Sequence, residues 1–520
     1  ETSLVQKFGR QALRRQGLSI TVPFDEKIEQ TSINSLRSGL LNLEETQFYR
    51  PPTHHKSDTW QTLLQTWAKQ HSSKNDSFDK HQTRPALLEK INPDGTLIVN
   101  DADKKWQLSK PKWTWDPEAE YSKERPKHWI VGDEILLRGD GEGGVTLIQQ
   151  PSIESALYSV DLERGTVLAR VGGYDFKLGG FDRVSQAKRQ PGSSFKPFLY
   201  ATAIEKGFTP ASIVMDAPIV FANDSADDFW RPENYGNRFA GAVTLRNALE
   251  HSRNLVAIRL LQDVGINTFI RRLRDYPFTQ KFPRQLALAL GATEVTPEQM
   301  VKAYIIIASG GLKWEPVGVQ QVQDRTGQTL HRAVAGNRCQ VCHVEPVMAV
   351  NASMRPAERI LDPVDAFLIQ NLMTGVVQRG TARRAKALNR PAAGKTGTTN
   401  QQMDAWFMGF TPQVLTGVWV GKDSPAPMGR KATGGGAALP IWMEAMQVMH
   451  ENRKVVNFPV PEGIEWANID YKTGALAGES TKYPFLEAFR EGTAPSSEQT
   501  EDDMDSNEVE SSPDFFDTEL

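Results

Sequence analysis

The sequence predicts a multidomain α/β chain: a helical linker, a small β-barrel and a larger unit that mixes helices with hairpins. Three observations point there. A length of 520 residues is too much for one ordinary core. The balance is globular, with 39% hydrophobic and 24% charged residues, 40 Gly and 31 Pro. The local pattern also changes character twice, near residues 82 and 148.

Residues 1–82 are polar and broken. FDEKIEQTSINSLRSGLLNLEE reads as an amphipathic helix with Ile28, Ile33, Leu36 and Leu40 on one face. SDTWQTLLQTWAKQH is a second helix, with Trp60, Leu63, Leu64 and Trp67 on one face. HSSKNDSFDKHQTR is a loop. From residue 83, PALLEKI, GTLIVND and GDEILLRG read as short strands, with Asn92-Pro93-Asp94-Gly95 as a turn, and together they predict the small barrel. KKWQLSKPKWTWDPE lies between them. Its interleaved Lys and Trp106, Trp113 and Trp115 could serve single-stranded nucleic acid. The acidic residues from Asp116 onward offset the charge, so the favoured reading is a loop whose aromatics pack on its own barrel or a neighbour.

From about 149 to 452, ALYSVDLERGTVLARVGG predicts a hairpin turning at Glu163-Arg164-Gly165, and similar turns recur in VQDRTGQTL and IDYKTGALA. GAVTLRNALEH and LVAIRLLQDVG read as helices, and AWFMGF and VLTGVWVG as strands.

Bulk properties exclude several classes. The formal charge is −3, and Glu491 to Leu520 carry eleven Asp or Glu without Lys or Arg, so the rest of the chain is near +8. A mildly basic body and an acidic tail make no single-signed field for a nucleic acid. No run of about 18 apolar residues spans a bilayer. The chain opens at Glu1 without a signal-peptide pattern and is expected to be a fragment or processed form. Cys339 and Cys342 are the only cysteines, in NRCQVCHVEP. Cys-x-x-Cys-His matches a c-type haem attachment string, zinc lacks two further ligands nearby, and the preferred reading is a local disulfide or two thiols in a surface loop.

QPGSSFKPFLYATAIEKGF holds the strongest local signal. Pro191-Gly192 breaks the chain, Ser193 is a good helix start, and Phe195, Phe198, Leu199 and Ile204 give a buried face ending at Gly207. Ser193 and Lys196 then share one helix face, and free N–H groups at the helix start favour developing negative charge. Three other Ser-x-x-Lys strings lack this setting. Ser77 to Lys80 lies in a loop, Ser109 to Lys112 contains Pro111, and Ser185 to Lys188 lies in the approach to the helix.

A serine hydroxyl needs a base, and a lysine serves only if burial or a neighbouring cation lowers its pKa. Lys395-Thr396-Gly397 supplies a second lysine on what reads as a central strand lining a cleft, with Gly397 letting a substrate backbone approach. Lys472-Thr473-Gly474 sits at a hairpin turn and gets no role. Ser252-Arg253-Asn254 is the one Ser-x-Asn between the Ser193 helix and the Lys395 strand; those at Ser32 and Ser73 fall in the linker.

Ser-x-x-Lys, Ser-x-Asn and Lys-Thr-Gly in this order are the signature set of penicillin-binding proteins and class A β-lactamases. FDRVSQAKRQPGSSFKPFLYATAIEKG, WRPENYGNRFAGAVTLRNALEHSRNLVAIRLL, LALGATEVTPEQMVKAYIIIASGG and GTARRAKALNRPAAGKTGTTNQQMDAWFMG resemble class A penicillin-binding proteins of the 1a type, and GGGAALPIWMEAM resembles the end of the same domain. The resemblance covers about 300 residues. It implies a linker at 1–82, an OB-like β-barrel at 83–148, and a penicillin-binding, serine β-lactamase-like transpeptidase domain at 149–452, an antiparallel sheet flanked by helices. A C-terminal extension at 453–495 and an acidic disordered tail at 496–520 would follow. The family's membrane helix and glycosyltransferase domain have no counterpart here, so polymerase function is not assigned.

The resemblance further implies Ser193 as nucleophile, Lys196 as base, Ser252 as proton relay, Asn254 as orienting group and Lys395 as the lysine that keeps Lys196 neutral. Backbone N–H groups of Ser193 and Thr398 would form an oxyanion hole. Thr396, Gly397 and Thr398 would hold the substrate or a β-lactam, without metal or cofactor. The implied activity is DD-transpeptidation of peptidoglycan stem peptides at the periplasmic face of the inner membrane, with a regulatory protein on the barrel. The alternatives are a DD-carboxypeptidase or β-lactamase-like hydrolase, and a non-catalytic β-lactam sensor or scaffold.

Overall fold

The structure is a computed structural model that describes all residues except 1–3, 6–7, 16, 45–52, 72–82, 110–129, 141, 150, 176–179, 223–228, 334–356 and 497–520. Cys339, Cys342, Trp113, Trp115 and the acidic tail lie outside the described residues. Among the described residues, no helix is long and apolar enough to cross a membrane.

Helix α1 (Glu26–Glu44) follows the expected stripe, with Leu36 and Leu40 fully buried and Ile28 and Ile33 half-buried. A single 3₁₀ turn leads into α2 (Trp60–His71), of which Trp67 is buried. Five strands then form an antiparallel sheet: β1 (Thr83–Ile91), β2 (Leu97–Asn100), β3 (Lys105–Leu108), β4 (Glu134–Gly139) and β5 (Val145–Ile148), in the order β3-β2-β1-β4-β5. The sheet has its own small core, including Ala86, Leu88, Val99, Ile135 and Leu137. KWQL is strand β3 rather than loop, paired to β2 with Trp106 opposite Val99. The Trp106 indole donates to Asp101 at 2.9 Å and Lys104 covers its ring at 3.5 Å, so this Trp is spent on its own sheet.

The main sheet combines the hairpin β6 (Glu154–Asp161) and β7 (Thr166–Val171) with three strands from far along the chain: β8 (Ala393–Thr398), β9 (Asp404–Phe410) and β10 (Val414–Gly421). Their order is β8-β9-β10-β6-β7, antiparallel throughout. On one face pack α3 (Lys196–Glu205), α4 (Leu245–Glu250), α5 (Asn254–Val264), α6 (Ile266–Leu273), α7 (Pro297–Ala308) and α8 (Pro363–Gln378). On the other pack α1 and α9 (Leu439–His450). Alternation along β10 shows both faces covered. Thr416 reaches Met446 of α9, whereas a Cβ on Gly417 would lie 2.5 Å from Val301 of α7. A strand buried on both faces reads as one apolar run. GAVT is not helical: Gly241–Thr244 pairs with Ile213–Asp216, and α4 begins only where the Thr244 side chain accepts from Asn247 N–H. β-Branched residues and a cap at the junction explain the boundary.

α1 belongs to the core of this larger unit. A Cβ on Gly39 would lie 2.4 Å from Ile441 of α9, so the two helices touch backbone to side chain, and Lys27 pairs with Glu451. A further sheet, β11 (Ile464–Asp470) and β12 (Pro484–Arg490), is tied on by a buried ionic cluster. Arg246 donates to Glu487 (Nη2 to Oε1 2.6 Å), lies 3.4 Å from Glu250, and Arg379 donates to Glu250 at 2.5 Å. The three similar turns share one device. Asp161, Asp324 and Asp470 each accept backbone N–H bonds from residues two to four positions on.

Candidate active site

Ser193 is not the cap of the α-helix. Gly192–Phe195 form a 3₁₀ turn and α3 starts at Lys196, with Phe195 as its N-cap and Pro197 in its first turn. The breaker does its work one turn earlier than expected, because Ser194 bonds back to Pro191 O through both its N–H (3.3 Å) and its hydroxyl (2.7 Å). Phe195 anchors the turn among Phe198, Phe269, Phe278 and Phe282, and Tyr304 donates to Ser194 O. Ser193 is half-buried between buried neighbours, the one partly open residue of this turn.

One turn on, the Lys196 side chain is fully buried. Its Nζ lies 2.8 Å from Ser252 O, 3.1 Å from Arg253 O, 2.8 Å from Asn254 Oδ1 and 3.5 Å from Ser252 Oγ, more acceptors than the two N–H groups of a neutral amine need. Lys395, equally buried, donates to Ser252 Oγ at 2.8 Å and Thr396 O at 3.1 Å. The Ser252 hydroxyl therefore stands between two buried amines. Burial first, then the Lys395 cation, push the Lys196 pKa well below its usual value, while Asp216 opposes the shift. Burial lowers Lys395 to about 7. The shift of Lys196 favours its neutral amine near neutral pH, the state in which a lysine accepts a proton, while Lys395, at about 7, still carries part of its charge there.

Ser252 is held with φ +57°, in the left-handed region. Asn234 Oδ1 accepts from Asn254 N–H at 2.7 Å while its Nδ2 donates to the buried Asp216 at 2.6 Å, and Asn254 Nδ2 donates to Glu233 O at 2.8 Å. Asp216 also lies 3.5 Å from Arg253. Asn234 and Asp216 brace the whole Ser252–Asn254 segment, and sequence reasoning gave neither a role. No local spacing marks them; only the stretch WRPENYGNRFAG pointed near.

β8 is an edge strand, not a central one. Among the described residues no further strand pairs with its outer side, and Ala393–Gly397 are buried. Thr396 Oγ1 lies 2.8 Å from Thr381 Oγ1, and Thr398 Oγ1 accepts from Gly434 N–H at 3.1 Å. The bare face of Gly397 is filled by the protein itself, since a Cβ there would lie 2.4 Å from Pro191 O and 3.0 Å from Ser194 Oγ. Gly192, with φ +54°, presses on Thr398 in the same way, with the Thr398 carbonyl 3.0 Å from its Cβ position. The two glycines seat the Ser193 turn directly on β8 and bring Ser193 beside Thr398. Trp406 donates to Gln190 O at 2.8 Å, and Asp404 accepts from Arg189 (2.7 Å) and Trp419 (2.9 Å). These five residues lock the approach to Ser193 onto β9 and β10.

Lys196, Ser252, Asn254 and Lys395 thus join one hydrogen-bond network, with Ser193 a single turn away. Lys472 lies over the Tyr483 ring, 4.3 Å from its centre, and takes no part.

A family model described as the penicillin-binding protein transpeptidase domain matches residues 157–447, more than half of the chain. Penicillin-binding protein 1A of Pseudomonas aeruginosa is 33% identical, over 95% of this chain and 64% of that protein. Penicillin-binding protein 1A of Rickettsia conorii is 34% identical, over 95% of this chain and 62% of that protein. The chain thus spans less than two thirds of the length of these curated relatives. The crystal structure of penicillin-binding protein 1A from Haemophilus influenzae superposes with a TM-score of 0.81 at 28% identity, over 95% of this chain and 75% of that one. The penicillin-binding protein PonA1 of Mycobacterium tuberculosis shares the fold at 20% identity, with a TM-score of 0.57 over 88% of this chain and 92% of that one. With the motif residues gathered as described, the chain belongs to the penicillin-binding protein transpeptidase family.

Proposed function

We propose that this chain carries out DD-transpeptidation of peptidoglycan stem peptides and is acylated by β-lactams. The observation that carries the reading is the Ser252 hydroxyl bridging two buried, pKa-lowered lysines beside the half-open Ser193. Ser193 Oγ attacks the carbonyl between two terminal D-alanines as neutral Lys196 takes its proton. The tetrahedral oxyanion is held by the N–H groups of Ser193 and Thr398, which the packing of Gly192 on Thr398 supports. Collapse breaks the C–N bond, and the proton returns through Ser252 to the leaving D-alanine. Asn254 keeps Lys196 in register. An amine of a neighbouring strand then attacks the acyl-enzyme, restores Ser193 and forms the cross-link.

The edge of β8, which no further strand of the described residues occupies, suits an extended peptide added as a strand. Lys395 and the hydroxyls of Thr396 and Thr398 hold the terminal carboxylate, with Gly397 setting their spacing against the Ser193 turn. The reaction is placed at the periplasmic face of the inner membrane. Exposed Ile130 and Val131 beside β4 support a protein partner on the small sheet.

Labelling with a fluorescent penicillin tests the reading. The chain should give a covalent band on a denaturing gel and the Ser193→Ala variant none. A band that survives in the variant overturns Ser193 as nucleophile. Partition of the acyl group from a peptide substrate between an added amine and water then separates transfer from hydrolysis.

A further inference from the structure

On the far side of the Ser193 turn, α6 and the segment after it enclose a cavity of about 450 Å³. Arg271, Arg274, Lys281 and Arg284 rim it, and Ile270 and Phe282 form its apolar wall. No acidic residue lines it. All four cations are exposed, and none forms an ion pair among the described residues. A further polar feature lies in the cavity wall. The Gln280 carbonyl is held by Thr279 N–H (3.2 Å) and by Gln299 Nε2 (3.4 Å), which fixes the amide, and its Nε2 is left buried with no partner. A buried donor without an acceptor is costly unless something fills the site. Four clustered like charges repel one another until an anion joins them.

We propose that this cavity docks the acidic segment Glu498–Glu519 of the same chain. That segment carries ten Asp or Glu, no Lys or Arg, and Phe515-Phe516. Its carboxylates match the cationic rim, and its aromatic pair matches the wall of Ile270 and Phe282. The route is short. Arg490, at the end of β12, pairs with Asp365 at 2.7 Å, and Asp365 in turn feels Arg272 of α6, next to Arg271. A coil of 24 residues has a root-mean-square reach of about 27 Å, and tethering raises the local concentration of the segment to roughly the millimolar range. The docked segment leans on Phe282, whose ring lies 6.0 Å from that of Phe195 in the Ser193 turn.

A zero-length carbodiimide cross-linker, which joins a lysine amine to a carboxylate with loss of water, tests this on the full chain. No Lys or Arg follows Arg490, so trypsin releases residues 491–520 as one peptide. The expected product joins that peptide to Lys281. Its yield should fall about tenfold when Arg271, Arg274 and Arg284 are all changed to Glu, the loss expected for several exposed ion pairs, and in 0.5 M salt. Unchanged penicillin labelling of the triple variant shows that it is folded. A 1:1 mixture of isotopically light and heavy chain separates the two possible origins of the segment. Cross-links within one chain support the proposal, and mixed cross-links assign the cavity to a second copy and overturn it. Cross-links scattered over the surface lysines, indifferent to charge reversal, also overturn it.

Discussion

Replacing Lys395 by Met removes a buried amine whose pKa falls from 10.5 to about 7 on folding. The sign follows from proton binding. Between pH 7 and 10.5 the unfolded chain holds this proton and the folded chain has lost it, so native stability drops as the pH falls through that window and levels off below 7. At about 1.4 kcal/mol per pH unit the full penalty is roughly 5 kcal/mol. Met carries no such penalty. It leaves Ser252 Oγ and Thr396 O without their donor, which costs about 1–3 kcal/mol each, but that cost is independent of pH. Lys196 also loses its cationic neighbour, which adds to the difference at the low-pH end. The measurable signature is therefore the trend with pH. Calorimetry of both chains at pH 9, 8 and 7 should show the Met variant gaining about 2–4 °C in Tm over the parent for each unit the pH is lowered. The relevant transition is the one that penicillin acylation shifts in the parent. A Tm difference that stays constant from pH 9 to 7 would mean that Lys395 titrates at its ordinary value inside the fold, and the electrostatic account of the site would fail.

Two further perturbations probe the frame around the site. Gly397→Ala places a methyl against the Pro191 carbonyl, which is backbone and cannot swing aside; about 1–3 kcal/mol of strain is expected, and the rate of penicillin labelling should fall at least tenfold. An unchanged rate would show that the Ser193 turn floats on β8. Arg246→Met strands Glu487 among buried groups, with an expected loss of about 3–5 kcal/mol, and Arg246→Met with Glu487→Leu should recover part of it. Denaturant unfolding in which the single variant matches the parent would remove the ionic cluster as the tie that holds β11 and β12.

The parts of the site carried by contiguous residues were legible in sequence. Ser193 to Lys196, Ser252 to Asn254 and Lys395 to Thr398 each present a local string, and their order along the chain selected them from the decoys. The stripe of α1 was equally plain, because Ile28, Ile33, Leu36 and Leu40 repeat at helical steps. What depended on distant pairing was not legible. Whether β8 lies at the centre or the edge is decided by the hairpin of residues 154–171, over 200 positions upstream. That Gly397 makes room for Pro191 and Ser194 rather than for substrate is a contact across the same gap. Asn234 and Asp216 act through a loop crossing that leaves no periodic trace. KWQL hid a strand because Lys105 and Gln107 face water and leave too few apolar positions to register.

The contact of Gly39 with Ile441 has a consequence for biosynthesis. The small sheet is spliced between α1 and the rest of the unit that α1 completes, so the apolar stripe of Leu36, Leu40, Leu41 and Leu43 meets its partner helix only after α9 has been made. Lys27 and Glu451 are separated by 424 positions, which a ribosome covers in about 20–85 s. Throughout that interval a sticky helix trails a sheet that can already fold. Until then the stripe is uncovered apolar surface, the kind that makes a folding chain prone to aggregate. A transpeptidase fragment cut at residue 150 would leave α9 permanently without its cover.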